Sequence, residues 1–100
     1  MNTIEIEKRT KVFKELGHPI RLKIVNILAM QGCCNEAFLS ERLELTQSNI
    51  SFHLESLKTT GIVTVIRKEN ESYYEISSDV EDCVYFLIKC FPRYGLNEVN

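Results

Sequence analysis

From Thr46 to Lys58 the chain reads Thr-Gln-Ser-Asn-Ile-Ser-Phe-His-Leu-Glu-Ser-Leu-Lys, and its side chains divide by chemistry at helical spacing. Ile50, Leu54 and Leu57 make one apolar stripe, while Ser48, Ser51, Glu55 and Lys58 line the opposite face. Thr46 suits the N-cap, which puts Gln47 and Asn49 at the helix start, where backbone N–H groups are free. Short hydroxyl and amide side chains in that setting can meet phosphate oxygens and base edges together. The plain alternative is a solvated helix face. His53 has two readings of equal standing, a DNA contact or a packed ring satisfied by a backbone carbonyl. For His18, before Pro19, capping or packing is preferred to a ligand role.

The second group able to do chemistry is the four cysteines, Cys33, Cys34, Cys83 and Cys90. Their spacing is not a CxxC zinc pattern, and in a cytoplasmic chain they are expected to be thiols. Cys83 and Cys90 fall on nearly one helical face, but seven residues of helix rise about 10.5 Å. Metal–sulfur bonds are only about 2.3 Å, so the two cannot share an ion within one straight helix. A thiophilic metal or metalloid site, or a regulatory disulfide, would need Cys33 or Cys34 to approach one of them, within the chain or across a dimer. Otherwise Cys83 and Cys90 act as small hydrophobes on the last helix, and Cys33-Cys34 fills a helix end.

These groups need elements to position them. Ile6 to Leu16, with Val12, Phe13 and Leu16 among Lys and Glu, suits an amphipathic helix stopped by Gly17. Pro19 opens a second helix whose apolar positions Ile20, Ile24, Ile27 and Leu28 follow the helical repeat up to Gly32. Asn35 caps a short third helix, Glu36 to Leu43, with Leu39 and Leu43 inward. The Thr46-capped helix is the fourth. After Gly61 the pattern alternates: Ile62 to Lys68, a turn at Glu69-Asn70-Glu71, then Ser72 to Ile76, which predicts a hairpin. Ser77-Ser78-Asp79 caps a last helix from about Val80 to Phe91, with Val80, Val84, Leu87 and Phe91 on one stripe and Pro92 ending it.

Composition bounds the rest. One hundred residues, 44% hydrophobic and 26% charged, make one small globular domain. The net charge of −2 is unevenly placed. His18 to Lys68 holds six bases (Arg21, Lys23, Arg42, Lys58, Arg67, Lys68) against four acids (Glu36, Glu41, Glu44, Glu55), a local +2. Glu69 to Asn100 holds two bases against seven acids, a local −5. No run approaches the ~18 apolar residues of a membrane span, and the start lacks a signal peptide's apolar stretch. No Gly-rich phosphate loop, acid pair in a cleft or Cys/His pairing indicates an enzyme.

Taken in order and spacing from about Lys11 to Asp79, several segments together resemble the ArsR/SmtB family of winged helix-turn-helix repressors. They are His18-Pro19-Ile20-Arg21-Leu22-Lys23-Ile24, Leu45-Thr46-Gln47-Ser48, Ser51-Phe52-His53-Leu54, Gly61-Ile62-Val63 and Tyr73-Tyr74. The resemblance implies a mainly α fold with a small β-hairpin, in the order α-α-α-α-β-β-α. It implies one winged helix-turn-helix domain over residues 1–100, with dimerisation helices at 4–16 and 79–91, the helix-turn-helix at 36–59 and the wing at 62–76. It also implies a cytoplasmic homodimeric transcriptional repressor that binds an inverted repeat in double-stranded DNA and has no membrane partner.

Carried over by position, Thr46, Gln47, Ser48, Asn49, Ser51 and His53 are candidates for base or phosphate contact, and Lys58, Arg67 and Lys68 for the DNA backbone. The sequence departs from the family in two places. Phe52 stands where relatives often have Arg, and the wing tip Glu69-Asn70-Glu71 is acidic where theirs is often basic, so affinity should lean on dimerisation. The family's Cys-x-Cys metal motif maps onto Asn35-Glu36-Ala37 and is absent, as is the Asp/His site of the last helix. The alternative reading is a winged-helix protein-interaction module without an inducer.

Overall fold

The computed structural model describes residues 1–90. Five helices and one hairpin follow each other in the expected order: α1 (Thr3–Glu15), α2 (Pro19–Gln31), α3 (Glu36–Leu43), α4 (Gln47–Thr59), β1 (Val63–Lys68), β2 (Glu71–Ile76) and α5 (Glu81–Cys90). Each helix start has a local cause. Asn2, Asn35 and Thr46 accept from the backbone N–H three residues on, at Glu5, Phe38 and Asn49. His18 caps α2 differently, its Nδ1 accepting from the Ile20 N–H at 3.2 Å, and Pro19 occupies the first turn. Gly32 ends α2 at φ +91°, a conformation that disfavours a Cβ.

α2 is the central helix. Ile24, Val25, Asn26, Ile27 and Leu28 are all buried, so it is covered on more than one side. Around it the core gathers Val12 and Leu16 from α1, Leu39 from α3, Ile50, Leu54 and Leu57 from α4, and Val84 from α5. Phe13, expected on the buried face of α1, is instead 42% exposed; its neighbours Val12 and Leu16 take the inward positions.

The hairpin pairs antiparallel from Val63 with Ile76 to Lys68 with Glu71. The turn is therefore the two residues Glu69 and Asn70, one shorter than expected, because Glu71 already pairs with Lys68. Both turn residues have positive φ (50° and 68°), which matches the right-handed twist of the two strands. A third strand-like edge is added by Cys34, whose N–H donates to the Tyr74 carbonyl at 3.0 Å and whose carbonyl accepts from the Tyr74 N–H at 2.8 Å.

The last helix begins later than expected. Ser78–Val80 form a 3₁₀ turn capped by Ser77, and the α-helix proper runs from Glu81 to Cys90. Val80 and Val84 are buried as the stripe requires. The expected helix end at Phe91 and Pro92 lies outside the described residues. No helix among the described residues is long and apolar enough to cross a membrane.

Candidate nucleic-acid interface

α3 and α4, joined by a turn through Glu44 and Leu45, form the helix pair, and α4 presents its second face outward. Ile50, Leu54 and Leu57 are at most 1% exposed, which fixes the rotation of α4 about its axis. That rotation leaves Gln47, Ser48, Ser51, Glu55 and Lys58 in solvent, with Thr46 exposed at the cap and Asn49 half-buried beside it. One polar surface at the N-terminal half of α4 thus collects the hydroxyls and amides singled out above.

His53 turns inward. It is 5% exposed, its Nδ1 accepts from Arg21 Nε at 3.3 Å, and its ring lies 4.7 Å from that of His18. The packed alternative is therefore the one observed, with Arg21 in place of a backbone carbonyl, and His53 is removed from the surface that faces away from the core. Arg21 also pairs through Nη1 with Glu15 Oε1 at 3.2 Å, and the Ser56 hydroxyl donates to the other oxygen of the same carboxylate. The side chains of Arg21 and Glu15 are only 19% and 11% exposed. This network ties α1, α2 and α4 together behind the polar face. His18-Pro19-Ile20-Arg21 carries a partial signal for it, but Glu15 and Ser56 look like ordinary surface polar residues until the helices are packed.

His53 keeps its pKa below the ordinary value of 6.5, chiefly because burial disfavours the imidazolium, then because of His18 and the Arg21 guanidinium; Glu15 opposes them. A lowered pKa means that the unfolded chain takes up a proton at a pH where the folded chain does not. Stability from His53 is thus fully present above pH 6.5 and declines as the pH falls below it. Urea unfolding at pH 7.5 and 5.5 should show a loss at the lower pH that is smaller in His53→Gln. An equal loss in both proteins would contradict this.

On the wing, Arg67 and Lys68 are exposed, as a backbone-binding role requires. Both are steadied from β2: Arg67 Nη1 donates to Ser72 Oγ at 2.8 Å, and Lys68 Nζ lies 5.8 Å from the centre of the Tyr73 ring. β2 is pinned to the start of α3, from its turn end to its middle. Besides the Cys34–Tyr74 backbone pair, the Asn35 amide donates to Glu71, and the Tyr74 hydroxyl donates to Glu36 at 3.4 Å. Tyr74 accordingly has its pKa raised, first by burial and then by Glu36.

The cysteines separate by environment. Cys34 is buried, and its thiol is pushed up to about 11 by burial and by Cys33, against an opposing effect of Arg42. It is a protonated, structural residue of the wing base at neutral pH. Cys83 is buried between α1 and α5, with Arg9 Nη1 at 3.0 Å from its sulfur. Cys33 is half-buried and Cys90 exposed, and all four are free thiols. Among the described residues no group of three or more His, Cys, Asp or Glu side chains is placed to hold a metal ion.

A helix pair with an outward second helix, followed by a hairpin pinned to its base, defines a winged helix-turn-helix protein. The model of the arsR family of bacterial regulatory proteins matches residues 18–65. An HTH-type transcriptional regulator of Methanocaldococcus jannaschii is 36% identical over 83% of this chain and 90% of its own length. The arsenical resistance operon repressor of Bacillus subtilis is 32% identical over 74% of this chain and 70% of its own. The crystal structure of the transcriptional repressor PagR of Bacillus anthracis superposes with a TM-score of 0.77 at 31% identity, covering 86% of this chain and 99% of that one. The chain belongs to the arsR family.

Proposed function

We propose that this protein is a homodimeric transcriptional repressor that reads an inverted-repeat operator in double-stranded DNA with α4. The observation that carries the reading is the outward face of α4, where Gln47, Ser48, Ser51 and Lys58 stand in solvent on a helix whose other face is fully buried. Gln47 and Asn49 have the geometry to pair with adenine edges, and the serine hydroxyls suit either bases or phosphates. Lys58, Arg67 and Lys68 supply the backbone contacts that set position without reading sequence. The names of the relatives support repression as the output.

Dimerisation uses α1 (Thr3–Glu15) and α5 (Glu81–Cys90). Ile4, Ile6 and Phe13 on α1 and Tyr85 and Phe86 on α5 are exposed apolar side chains on two helices that pack against each other. Exposed apolar side chains on two packed helices are what an isologous interface covers. Release of DNA by thiol oxidation or by a thiophilic metal or metalloid ion falls to Cys33 and Cys90, the thiols that burial leaves to solvent.

The test is binding of the purified protein to the DNA upstream of its own gene, with and without reductant and soft metal ions. A specific shift is expected, weakened by oxidant or metal in the parent but not in Cys33→Ser/Cys90→Ser. Equal release of parent and variant overturns the thiol part alone. Absence of any specific shift overturns the DNA part and favours a protein-interaction module.

A further inference from the structure

The outward face of α4 carries one side chain that hydrogen bonding does not account for. Phe52 is 66% exposed, the most exposed of the large apolar side chains from α2 through the wing. At about 100° per residue it shares the solvent arc with Ser48, four positions before it, and Glu55, three after it. Because Ile50, Leu54 and Leu57 fix the opposite arc in the core, α4 cannot turn to hide the ring. The ring is also braced: the His53 ring lies 5.3 Å away and edge-on at 78°, and His53 is itself held by Arg21.

The neighbours decide what this ring suits. Ser48, Ser51, Glu55 and Thr59 surround it, all exposed, so Phe52 is a single apolar point on a polar helix face. A protein-docking surface centres on contiguous apolar side chains, which this face lacks. The major groove of DNA offers a single apolar point of its own, the C5-methyl group of thymine, which makes apolar contacts with side chains such as Phe. Neither Phe52 nor that methyl carries charge, so their contact adds sequence preference without adding phosphate attraction.

We infer that Phe52 is a specificity-determining residue of α4 that reads thymine through its 5-methyl group in the major groove. The inference rests on the DNA reading above and deepens it. Burial of one methyl group is worth about a fourfold change in affinity per half-site, and the effect roughly squares when both half-sites of a dimer are changed.

The experiment selects duplexes bound by the full chain from a pool of random double-stranded sequences. A selected duplex is then remade with deoxyuridine in place of thymidine, one position at a time, which deletes only the methyl group. The wild-type protein is expected to lose about fourfold at one thymine of each half-site. Phe52→Ala should bind the thymidine duplex as weakly as wild type binds a duplex with deoxyuridine at that thymine in both half-sites, and should not respond to the swap. Its melting temperature and its salt dependence should match wild type, since the ring is exposed and uncharged. Indifference of wild type to every deoxyuridine, or a full penalty retained by Phe52→Ala, overturns the inference while leaving DNA binding intact. Failure to select any duplex overturns both.

Discussion

Arg21→Ala is expected to destabilise the protein by about 1–3 kcal/mol, the cost typical of leaving a largely buried hydrogen-bonding group without its partner. The guanidinium serves two acceptors on two other helices, Glu15 Oε1 at 3.2 Å and His53 Nδ1 at 3.3 Å. Truncation leaves a carboxylate that is 11% exposed without its cation, and an imidazole nitrogen without its donor. Lysine is no substitute, because one ammonium lacks the planar fork that reaches both acceptors at once. Arg21→Lys should therefore recover only part of the loss. The double variant Glu15→Gln/Arg21→Met should cost less than Arg21→Ala alone, since no unpaired charge remains buried while the amide still accepts from Ser56. Urea unfolding of the three variants checks the order. A double variant that is less stable than Arg21→Ala would show that the pair stabilises through its charge rather than through avoiding an orphaned one.

The second large effect concerns assembly. Phe86→Asp places a carboxylate at a ring that is 62% exposed on α5, the helix that packs against α1. Because the side chain is exposed in the single chain, the fold should survive while the proposed dimer does not. A dimer holding two half-sites gains roughly 10²–10⁴ in avidity over one half-site, and the variant should lose a factor of that order in DNA affinity. Sedimentation should find the monomer mass with an unchanged helical circular dichroism spectrum. A variant that remains dimeric would move the interface away from α5. One that is monomeric yet binds at parental affinity would remove dimerisation from the mechanism.

Much of this architecture is legible in the sequence because local signals agree with one another. Asn35, Thr46, Pro19 and Gly32 mark helix ends within a residue of where they fall, and the spacing of Ile50, Leu54 and Leu57 names the buried side of α4 directly. What is not legible depends on contacts far apart in the chain. His53 follows an exposed Phe52 and by residue type alone fits either side of the helix. Its place at i+3 of the Ile50, Leu54 and Leu57 stripe points it inward, and Arg21, 32 residues earlier, supplies the partner that a buried ring needs. Cys34 reads as a candidate thiolate until Tyr74 takes its backbone into the wing sheet and burial raises its pKa. The turn moved by one residue because cross-strand pairing of Lys68 with Glu71 outweighs the polar composition of Glu69-Asn70-Glu71. Phe13 is exposed for a related reason: apolar type alone does not distinguish a side chain facing its own core from one on the chain's outer surface.

The net charge of −2 conceals the distribution that matters for nucleic acid. Of the described acids after Lys68, Glu69 and Glu71 lie at the wing tip, Glu75 on β2, Asp79 in the 3₁₀ turn and Glu81 and Asp82 on α5, whereas Lys58, Arg67 and Lys68 are exposed on α4 and β1. Glu71 is engaged by Asn35, which leaves Glu69 as the unengaged acid of the turn region.

The central claim, that α4 and the wing hold double-stranded DNA, is tested most directly by the salt dependence of binding to the upstream duplex. Three cations from each of two protomers make six candidate phosphate contacts, and a slope of about −0.9 per contact gives a log–log slope near −5. Between 50 and 200 mM salt the affinity should then fall by about 10³, with Lys58→Ala lowering the slope by roughly two units in the dimer. Binding that changes little over that range, or a slope untouched by Lys58→Ala, would contradict the account.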